Sequence, residues 1–232
     1  AQSDMDDLDA AIDSYNQAIR INPKFGSAFN NLGSALFEKG EIEKANESYK
    51  QAVKFSPNDA DAWNNLGSVS SIIGNHQAAI ESFNQALKIN PSYVVALFKL
   101  GQNLKFVGEA NEAATCFETV ANLDENDVLG AKLQLATLGR SSTPSKTPKG
   151  FMENFYKERA EKWDSQPLEK YSGHLLIASA FGQANIGKNN VILDLGCGTG
   201  SLASFLKPYA KSLIGIDLSH EMLNYAEKTG LY

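Results

Sequence analysis

The apolar positions of this chain follow two different patterns. Through residues 1–138 they recur together with small residues at an interval of 34 positions, and each interval predicts a pair of helices. Residues 191–195 and 212–216 are short apolar runs of the kind that form buried parallel strands, and a helix-like segment, 201–206, follows the first run. The pattern predicts a helical array followed by alternating strands and helices.

The interval of 34 residues is marked most clearly by Pro23, Pro57 and Pro91. Two units share an aromatic residue, a Leu-Gly pair, two small residues around a second aromatic residue, and the proline: Phe29, Leu32, Gly33, Ala45, Tyr49, Ala52 and Pro57, then Trp63, Leu66, Gly67, Ala79, Phe83, Ala86 and Pro91. A third unit departs from this pattern at Val120 and Glu125. Ahead of the first unit, residues 11–18 match only the second helix, so the chain is expected to begin inside a repeat.

These positions resemble those of tetratricopeptide repeats over residues 1–138. The resemblance implies a solenoid of a half repeat, three repeats and a capping helix at 128–138. Such arrays typically hold a peptide or a partner helix in a concave groove, which implies a protein partner. Candidate peptide-binding residues are two asparagine pairs, Asn30-Asn31 and Asn64-Asn65, because amides both donate and accept hydrogen bonds. They are equally compatible with ordinary repeat positions, and Lys99 interrupts the row.

Residues 139–150 are rich in Ser, Thr, Pro and Gly and are predicted to form a linker. The linker carries three positive charges, whereas residues 1–138 contain 10 basic and 18 acidic residues, a net charge of −8. Because phosphate contacts need lysine and arginine, no nucleic acid is expected as a ligand of the array.

The glycine-rich turn after the first predicted strand is the strongest indication of function. Gly196, Gly198 and Gly200 follow that strand, and Asp217 ends the second strand 21 positions after Gly196. A carboxylate there is placed to accept hydrogen bonds from both hydroxyls of a ribose, so the spacing predicts an adenosine-type ligand. A nicotinamide-dependent oxidoreductase is disfavoured, because the third glycine of the dinucleotide motif would stand at Ser201 and because Asp194 would repel a pyrophosphate.

The same residues resemble the first two motifs of class I S-adenosylmethionine-dependent methyltransferases, D-L-G-C-G-T-G at 194–200 and D-L-S-x-x-M-L at 217–223. The resemblance implies that S-adenosylmethionine is the cofactor. On this comparison Asp194 and the glycine loop would lie against the methionine part of the cofactor. Asp217 would hold the ribose, and the side chains of Leu218 and Met222 would flank the adenine. The cofactor-binding residues expected on this basis are Asp194, Gly196, Cys197, Gly198, Gly200, Asp217, Leu218 and Met222.

The segment after the linker also resembles the helix that precedes the first strand in many methyltransferases. On that comparison Tyr156 or Trp163 would line the cofactor pocket; the alternative is an amphipathic helix packed on the sheet. No general base is identified, so the catalytic residues are unknown. Cys197 is expected to supply backbone and a small side chain to the loop and not to act as a nucleophile.

Composition limits the alternatives further. The 232 residues contain no apolar run of membrane-spanning length and no signal-peptide pattern, and the two cysteines, Cys116 and Cys197, fall in different regions, so a reduced cytoplasmic setting is expected. The three histidines have no partners at metal-ligand spacing, so no metal site is expected.

The predicted fold is therefore an α-helical tetratricopeptide solenoid followed by the N-terminal part of an α/β Rossmann-like methyltransferase domain at 151–232. Two strands cannot bury themselves, so the chain is expected to be a piece of a longer protein. The predicted function is methyl transfer from S-adenosylmethionine to an unidentified acceptor, with the repeats as a docking module. The alternative is a non-catalytic interaction scaffold.

Overall fold

The computed structural model describes residues 2–160, 173–184 and 186–232. These residues divide into two compact units. The first comprises Ala1–Glu125 and Gly130–Pro144, and the second comprises Asn126–Leu129 and Ser145–Tyr232. Each unit is described by itself.

The first unit is a stack of antiparallel helices in which each helix packs on the next along the chain. The helices are α1 (Gln2–Ile21), α2 (Gly26–Glu38), α3 (Ile42–Phe55), α4 (Ala60–Ile72), α5 (His76–Ile89), α6 (Val94–Val107), α7 (Ala110–Leu123) and α8 (Ala131–Thr137). Further contacts join α2 to α4 and α4 to α6, so the first helices of successive pairs line one side of the stack. This arrangement confirms the predicted solenoid.

One contact explains the period of 34 residues. In each helical pair, an aromatic ring of the second helix lies directly on a glycine of the first helix. A Cβ atom added to that glycine would lie only 2.7, 2.7 or 2.8 Å from the ring, in the pairs Gly33–Tyr49, Gly67–Phe83 and Gly101–Phe117 respectively. Because the ring fills the space that a side chain at the glycine would occupy, the two helices approach closely without leaving a void.

The closing helix is shorter than its apolar pattern predicts. The sequence predicts a helix over 128–138, whereas α8 covers Ala131–Thr137. Gly130 precedes it in the left-handed conformation, with φ +78°, which separates residue 128 from the helical turns.

The second unit contains a two-stranded parallel sheet of β1 (Asn190–Leu195) and β2 (Ala210–Ile216). Its helices are α9 (Lys149–Ala160), α10 (Gly173–Gln183), α11 (Ala203–Leu206) and α12 (His220–Lys228), and a 3₁₀ helix covers Lys207–Tyr209. The order strand, helix, parallel strand, helix agrees with the prediction. The helix after the glycine turn is shorter than predicted, because it begins at Ala203, and α9 begins within the last two residues of the predicted linker.

The sheet is covered on one face. Ile192 and Leu213 are adjacent partners in the two strands and pack with Ala203 and Leu206 of α11. The opposite face carries five exposed apolar side chains, those of Val191, Leu193, Leu195, Ile214 and Ile216. The prediction of buried strands is therefore correct for one face and wrong for the other, since no described residue packs over the second face closely enough to bury it.

Among the described residues, no helix combines the length and the apolarity that crossing a bilayer requires.

Candidate functional site

The glycine turn lies at the carboxyl ends of both strands. Gly196, Gly198 and Gly200 all have positive φ angles, of +76°, +56° and +90°. The amides of Gly196 and Cys197 donate to the carbonyl of Ile216 at 2.7 and 3.1 Å, which ties the turn to the end of β2. A Cβ atom at Gly196 or Gly198 would meet nothing within 4 Å. The main chain at these two glycines is therefore open to close approach by a ligand.

Asp217 is held in place beside the turn. Its Oδ2 atom accepts a hydrogen bond from the amide of Gly198 at 2.9 Å, and its Oδ1 atom accepts one from the amide of Ser219, also at 2.9 Å. The side chain is only half-buried, and each carboxylate oxygen retains capacity for a further donor. The structure thus brings Asp217 and the glycine turn together; contact with a ribose stays a prediction.

Asp194 has a partner that the sequence analysis missed. The hydroxyl of Tyr232 donates to Oδ2 of Asp194 at 2.7 Å, and its ring lies against Gly200 and Gly215. Burial and this hydrogen bond raise the pKa of Tyr232, so the phenol stays protonated and acts as a donor. The available signal was Gly215: a glycine within a strand often marks a close approach, and a Cβ there would lie 2.8 Å from the Tyr232 ring.

The residues after Asp217 begin α12. Ser219 is fully buried and caps the helix, since its Oγ atom accepts a hydrogen bond from the amide of Met222 at 3.2 Å. Serine is one of the residues preferred at this position, so the sequence favours the cap. Leu218 is 56% exposed, whereas Met222 is 1% exposed and belongs to the interior of the unit. Leu218 is thus accessible to a ligand and Met222 is packed away; their contact with adenine stays a prediction.

The structure describes one of the two aromatic residues that were predicted to line the cofactor pocket. Tyr156 lies half-buried in α9, edge-on to Phe155 with ring centroids 5.3 Å apart. Helix α9 packs mainly against α12. The alternative interpretation placed it mainly on the sheet, and the structure does not agree with that. Trp163 lies outside the described residues.

Cys197 is buried within the turn, with 7% of its surface exposed. Burial, together with the carboxylates of Asp194 and Asp217, raises the pKa of its thiol to about 11. Burial alone raises the pKa of Cys116 to about 11 as well. Among the described residues, no group of three or more His, Cys, Asp or Glu side chains is placed to hold a metal ion.

We expect both thiols to be alkylated slowly at pH 7. A thiol of pKa about 11 is a thiolate in only about one molecule in ten thousand at that pH, roughly a hundredfold or more below an ordinary cysteine. The alkylation rate should therefore rise about tenfold per pH unit between pH 8 and pH 10. Mass spectrometry of each cysteine peptide after iodoacetamide treatment, with glutathione as the reference thiol, measures this rate. Labelling at the glutathione rate at pH 7 would contradict the burial of either thiol.

The asparagine pairs of the array occupy different environments. The amide of Asn65 donates to Oδ1 of Asn30 at 3.1 Å, which joins α2 to α4. Asn31 is exposed, and Asn64 is 6% exposed with an Oδ1 atom that has no hydrogen-bond partner among the described residues. Asn65 also lines a cavity of about 300 Å³ between α4 and α6. The structure brings Asn30 and Asn65 together; peptide binding by the four asparagines stays a prediction.

Comparison with known families agrees with this division of the chain. Tetratricopeptide repeat models match residues 4–40, 33–69 and 60–93. A methyltransferase domain model matches residues 192–231, which include most of β1, the glycine turn, β2 and α12.

Curated relatives match over short stretches. Malonyl-[acyl-carrier protein] O-methyltransferase of Yersinia pestis is 36% identical over 74 residues, which are 32% of this chain and 26% of that protein. A probable S-adenosylmethionine-dependent methyltransferase of Saccharomyces cerevisiae, CRG1, is 48% identical over 42 residues, 18% of this chain and 14% of that protein. The chain thus spans about a quarter or less of the length of these relatives.

Solved structures match the helical array. The crystal structure of MamA superposes with a TM-score of 0.56 at 26% identity and covers 66% of this chain and 91% of that one. The tetratricopeptide protein YrrB superposes with a TM-score of 0.53 at 20% identity, covering 60% of this chain and 74% of that one. The chain thus matches tetratricopeptide repeats over residues 4–93 and part of a methyltransferase domain over residues 192–231.

Proposed function

We propose that the glycine turn and Asp217 bind S-adenosylmethionine and that the whole protein transfers its methyl group to an acceptor. The observation that carries the proposal is the fixed carboxylate of Asp217, held 2.9 Å from the amide of Gly198 at the open side of the turn. Ribose hydroxyls need such an acceptor, and adenosine needs a main chain that it can approach closely.

The residues in and beside the turn have separate roles in this proposal. Gly196 and Gly198 leave room for the methionine part of the cofactor, and Asp217 accepts from the ribose hydroxyls. Leu218 offers exposed apolar surface to the adenine. Tyr232 holds Asp194 in one orientation through their 2.7 Å hydrogen bond. When bound, S-adenosylmethionine supplies an electrophilic methyl group, and the protein gains rate mainly by aligning it with the acceptor.

A nicotinamide dinucleotide is the less suitable ligand. Its pyrophosphate would lie against the start of the following helix. Here α11 begins only at Ala203 and has four residues, and the carboxylate of Asp194 lies two positions before the turn. Both features favour a ligand without phosphate.

Calorimetric titration of the whole chain with S-adenosylhomocysteine tests this site. We expect Asp217→Ala to weaken binding at least a hundredfold, because hydrogen bonds to a charged acceptor contribute about 1.5–3 kcal/mol each. Far-UV circular dichroism should show unchanged helicity. Glu227→Ala, which removes an exposed carboxylate from α12, is the matched control and should bind as the wild type does.

Three results would contradict the cofactor assignment. Equal affinity of the Asp217→Ala and wild-type proteins would exclude the ribose contact. Displacement of S-adenosylhomocysteine by NAD would favour the oxidoreductase alternative. If the wild-type chain does not bind S-adenosylhomocysteine, partner docking by the repeats would be its only remaining proposed function.

We also propose that the array docks a peptide or protein partner. The cavity between α4 and α6 supports this part, because its lining combines apolar side chains with amide and hydroxyl groups. The alternative function, a scaffold without catalysis, rests on the same cavity and predicts peptide binding without cofactor affinity. A cytoplasmic location belongs to the proposal, since Cys116 and Cys197 are both free thiols.

A further inference from the structure

A second cavity of the array lies between α3 and α5, over residues of α4. Three residues of α4 form its floor and three residues of α5 form one wall: Trp63, Leu66 and Ser70, then Ala78, Glu81 and Ser82. It shares no lining residue with the cavity between α4 and α6. Its volume of about 280 Å³ is just below the range of about 300–1,000 Å³ that small-molecule sites occupy, so it suits a single large side chain.

The sequence of the middle unit explains why this cavity is present. Ser70 and Ala78 are smaller than the residues at the equivalent positions, 34 residues away, in the two other units. Those units carry longer side chains there: Leu36 and Lys44, then Leu104 and Glu112. Leu36 is 7% exposed and belongs to the core of its unit. A serine in place of a buried leucine leaves space in the floor, and an alanine on the wall leaves the mouth open.

The hydroxyl of Ser70 is the polar group of this floor that needs a partner. The residue is only 4% exposed, and its hydroxyl has no hydrogen-bond partner among the described residues. The neighbouring polar groups are paired. Nε1 of Trp63 donates to the carbonyl of Pro57 at 2.9 Å, and the hydroxyl of Ser82 donates to the carbonyl of Ala78 at 2.8 Å. Because buried polar groups are nearly always hydrogen-bonded, the hydroxyl of Ser70 indicates that a ligand supplies the partner.

The helices on both sides of the cavity belong to an acidic face. The second helices of the units, α1, α3, α5 and α7, carry ten acidic and five basic side chains. Beside the cavity, Glu81 is exposed and has no cationic partner among the described residues, whereas Lys50 pairs with Glu47 at 2.7 Å. This face therefore attracts a ligand that carries positive charge next to the group that enters the cavity.

We propose that this cavity binds the side chain of a tyrosine in a basic segment of a partner protein. The group that reaches Ser70 from the surface must be apolar along its length and polar at its end, and a tyrosine side chain has this form. Its ring lies against Trp63 and Leu66, its hydroxyl pairs with Ser70, and a neighbouring lysine or arginine of the partner pairs with Glu81. A lysine is less suitable for the floor, which has no carboxylate to pair with a buried ammonium group.

Calorimetric titration of the whole chain with four peptides tests this inference. The peptides have neutral ends: SGKYKGS, its phenylalanine and alanine counterparts SGKFKGS and SGKAKGS, and the acidic peptide SGEYEGS. We expect the tyrosine peptide to bind about fivefold more tightly than the phenylalanine peptide, which is the effect of one hydrogen bond. The alanine peptide should bind at least tenfold more weakly than the tyrosine peptide, because it buries no ring. The acidic peptide should also bind at least tenfold more weakly.

Substitutions at Ser70 locate the binding site. Ser70→Leu places the leucine of the neighbouring units in the cavity, so it should weaken SGKYKGS binding at least tenfold without lowering the urea midpoint of unfolding. Ser70→Ala removes the hydroxyl and should make the tyrosine and phenylalanine peptides bind equally. Ser48→Ala is the matched control, because Ser48 is a buried serine of α3 that lines neither cavity. It should keep the fivefold difference. The peptide comparison on the wild type stands even if Ser70→Leu folds poorly.

Each contrary outcome overturns a defined part. Equal binding of the tyrosine and phenylalanine peptides to the wild type would overturn the hydrogen bond to Ser70. Unchanged binding of SGKYKGS to a folded Ser70→Leu protein would overturn the cavity as the binding site. Equal or tighter binding of the acidic peptide would overturn the basic partner, and no binding by any peptide would overturn the proposal as a whole. None of these outcomes bears on the S-adenosylhomocysteine titration or on docking at the cavity between α4 and α6.

Discussion

Replacing Phe83 with alanine is expected to destabilise the repeat array by about 4 kcal/mol. The ring is fully buried at the centre of the stack and lies on Gly67 of the preceding helix. Truncation loses the transfer free energy of the ring and leaves a cavity that Gly67, which has no side chain, cannot fill. Urea unfolding followed by circular dichroism at 222 nm should show a lower midpoint.

Phe106→Ala is the matched control for this change. Phe106 is a phenylalanine of the same array, 72% exposed, and stacks only on the ring of His76 among the aromatic contacts described. Its removal should cost less than about 1 kcal/mol. Equal midpoints for the two variants would show that the aromatic-on-glycine contact does not stabilise the stack as we infer.

Gly200→Ala is expected to destabilise the second unit by about 3 kcal/mol. The residue has φ +90°, which costs a side chain about 1–2 kcal/mol. Its Cβ atom would also lie 3.1 Å from the ring of Tyr232 and 3.3 Å from the Cα atom of Ala226, and overpacking adds about 1–3 kcal/mol. Hydrogen exchange in β1 and β2 should accelerate roughly a hundredfold.

Gly230→Ala separates the conformational cost of a side chain at positive φ from the cost of overpacking. Gly230 also has a positive φ, +64°, but a Cβ atom there would meet nothing within 4 Å. This variant should lose only the conformational part, about 1 kcal/mol. If both variants exchange at the same rate, the contact between Gly200 and Tyr232 contributes no packing stability.

The repeats could be predicted almost completely from the sequence because every unit uses the same local contact. Gly67 and Phe83 lie 16 positions apart, and the two other glycine–aromatic pairs share this separation. The strands, the glycine turn and the Ser219 cap were predictable for a similar reason, since each depends on residues close along the chain. Asp217 could be placed beside the turn because parallel strands end at the same edge of a sheet.

The contacts that the sequence did not reveal are the long-range ones. Tyr232 reaches Asp194 across 38 positions; Gly215 indicates a close approach to the strand but does not specify which residue makes it. Lys99 only interrupts the asparagine row in the sequence; its ammonium group donates to the hydroxyl of Ser68, which lies 31 positions away on another helix. Two strands alone were expected to leave apolar surface exposed, but the sequence did not specify that Val191 and Leu193 would be on the exposed face, because an apolar run does not specify what covers each face.

Packing between helices that are close along the chain allows the repeat array to fold before the second unit during synthesis. Since each described helix of the array packs mainly on the helices one or two places away, the array can assemble as it leaves the ribosome. Residues 139–189 separate the array from β1, and their translation takes roughly 3 to 10 s at about 5–20 residues per second. Helical stacks fold within about milliseconds. The docking surface that we propose would therefore be complete before the glycine turn has been translated.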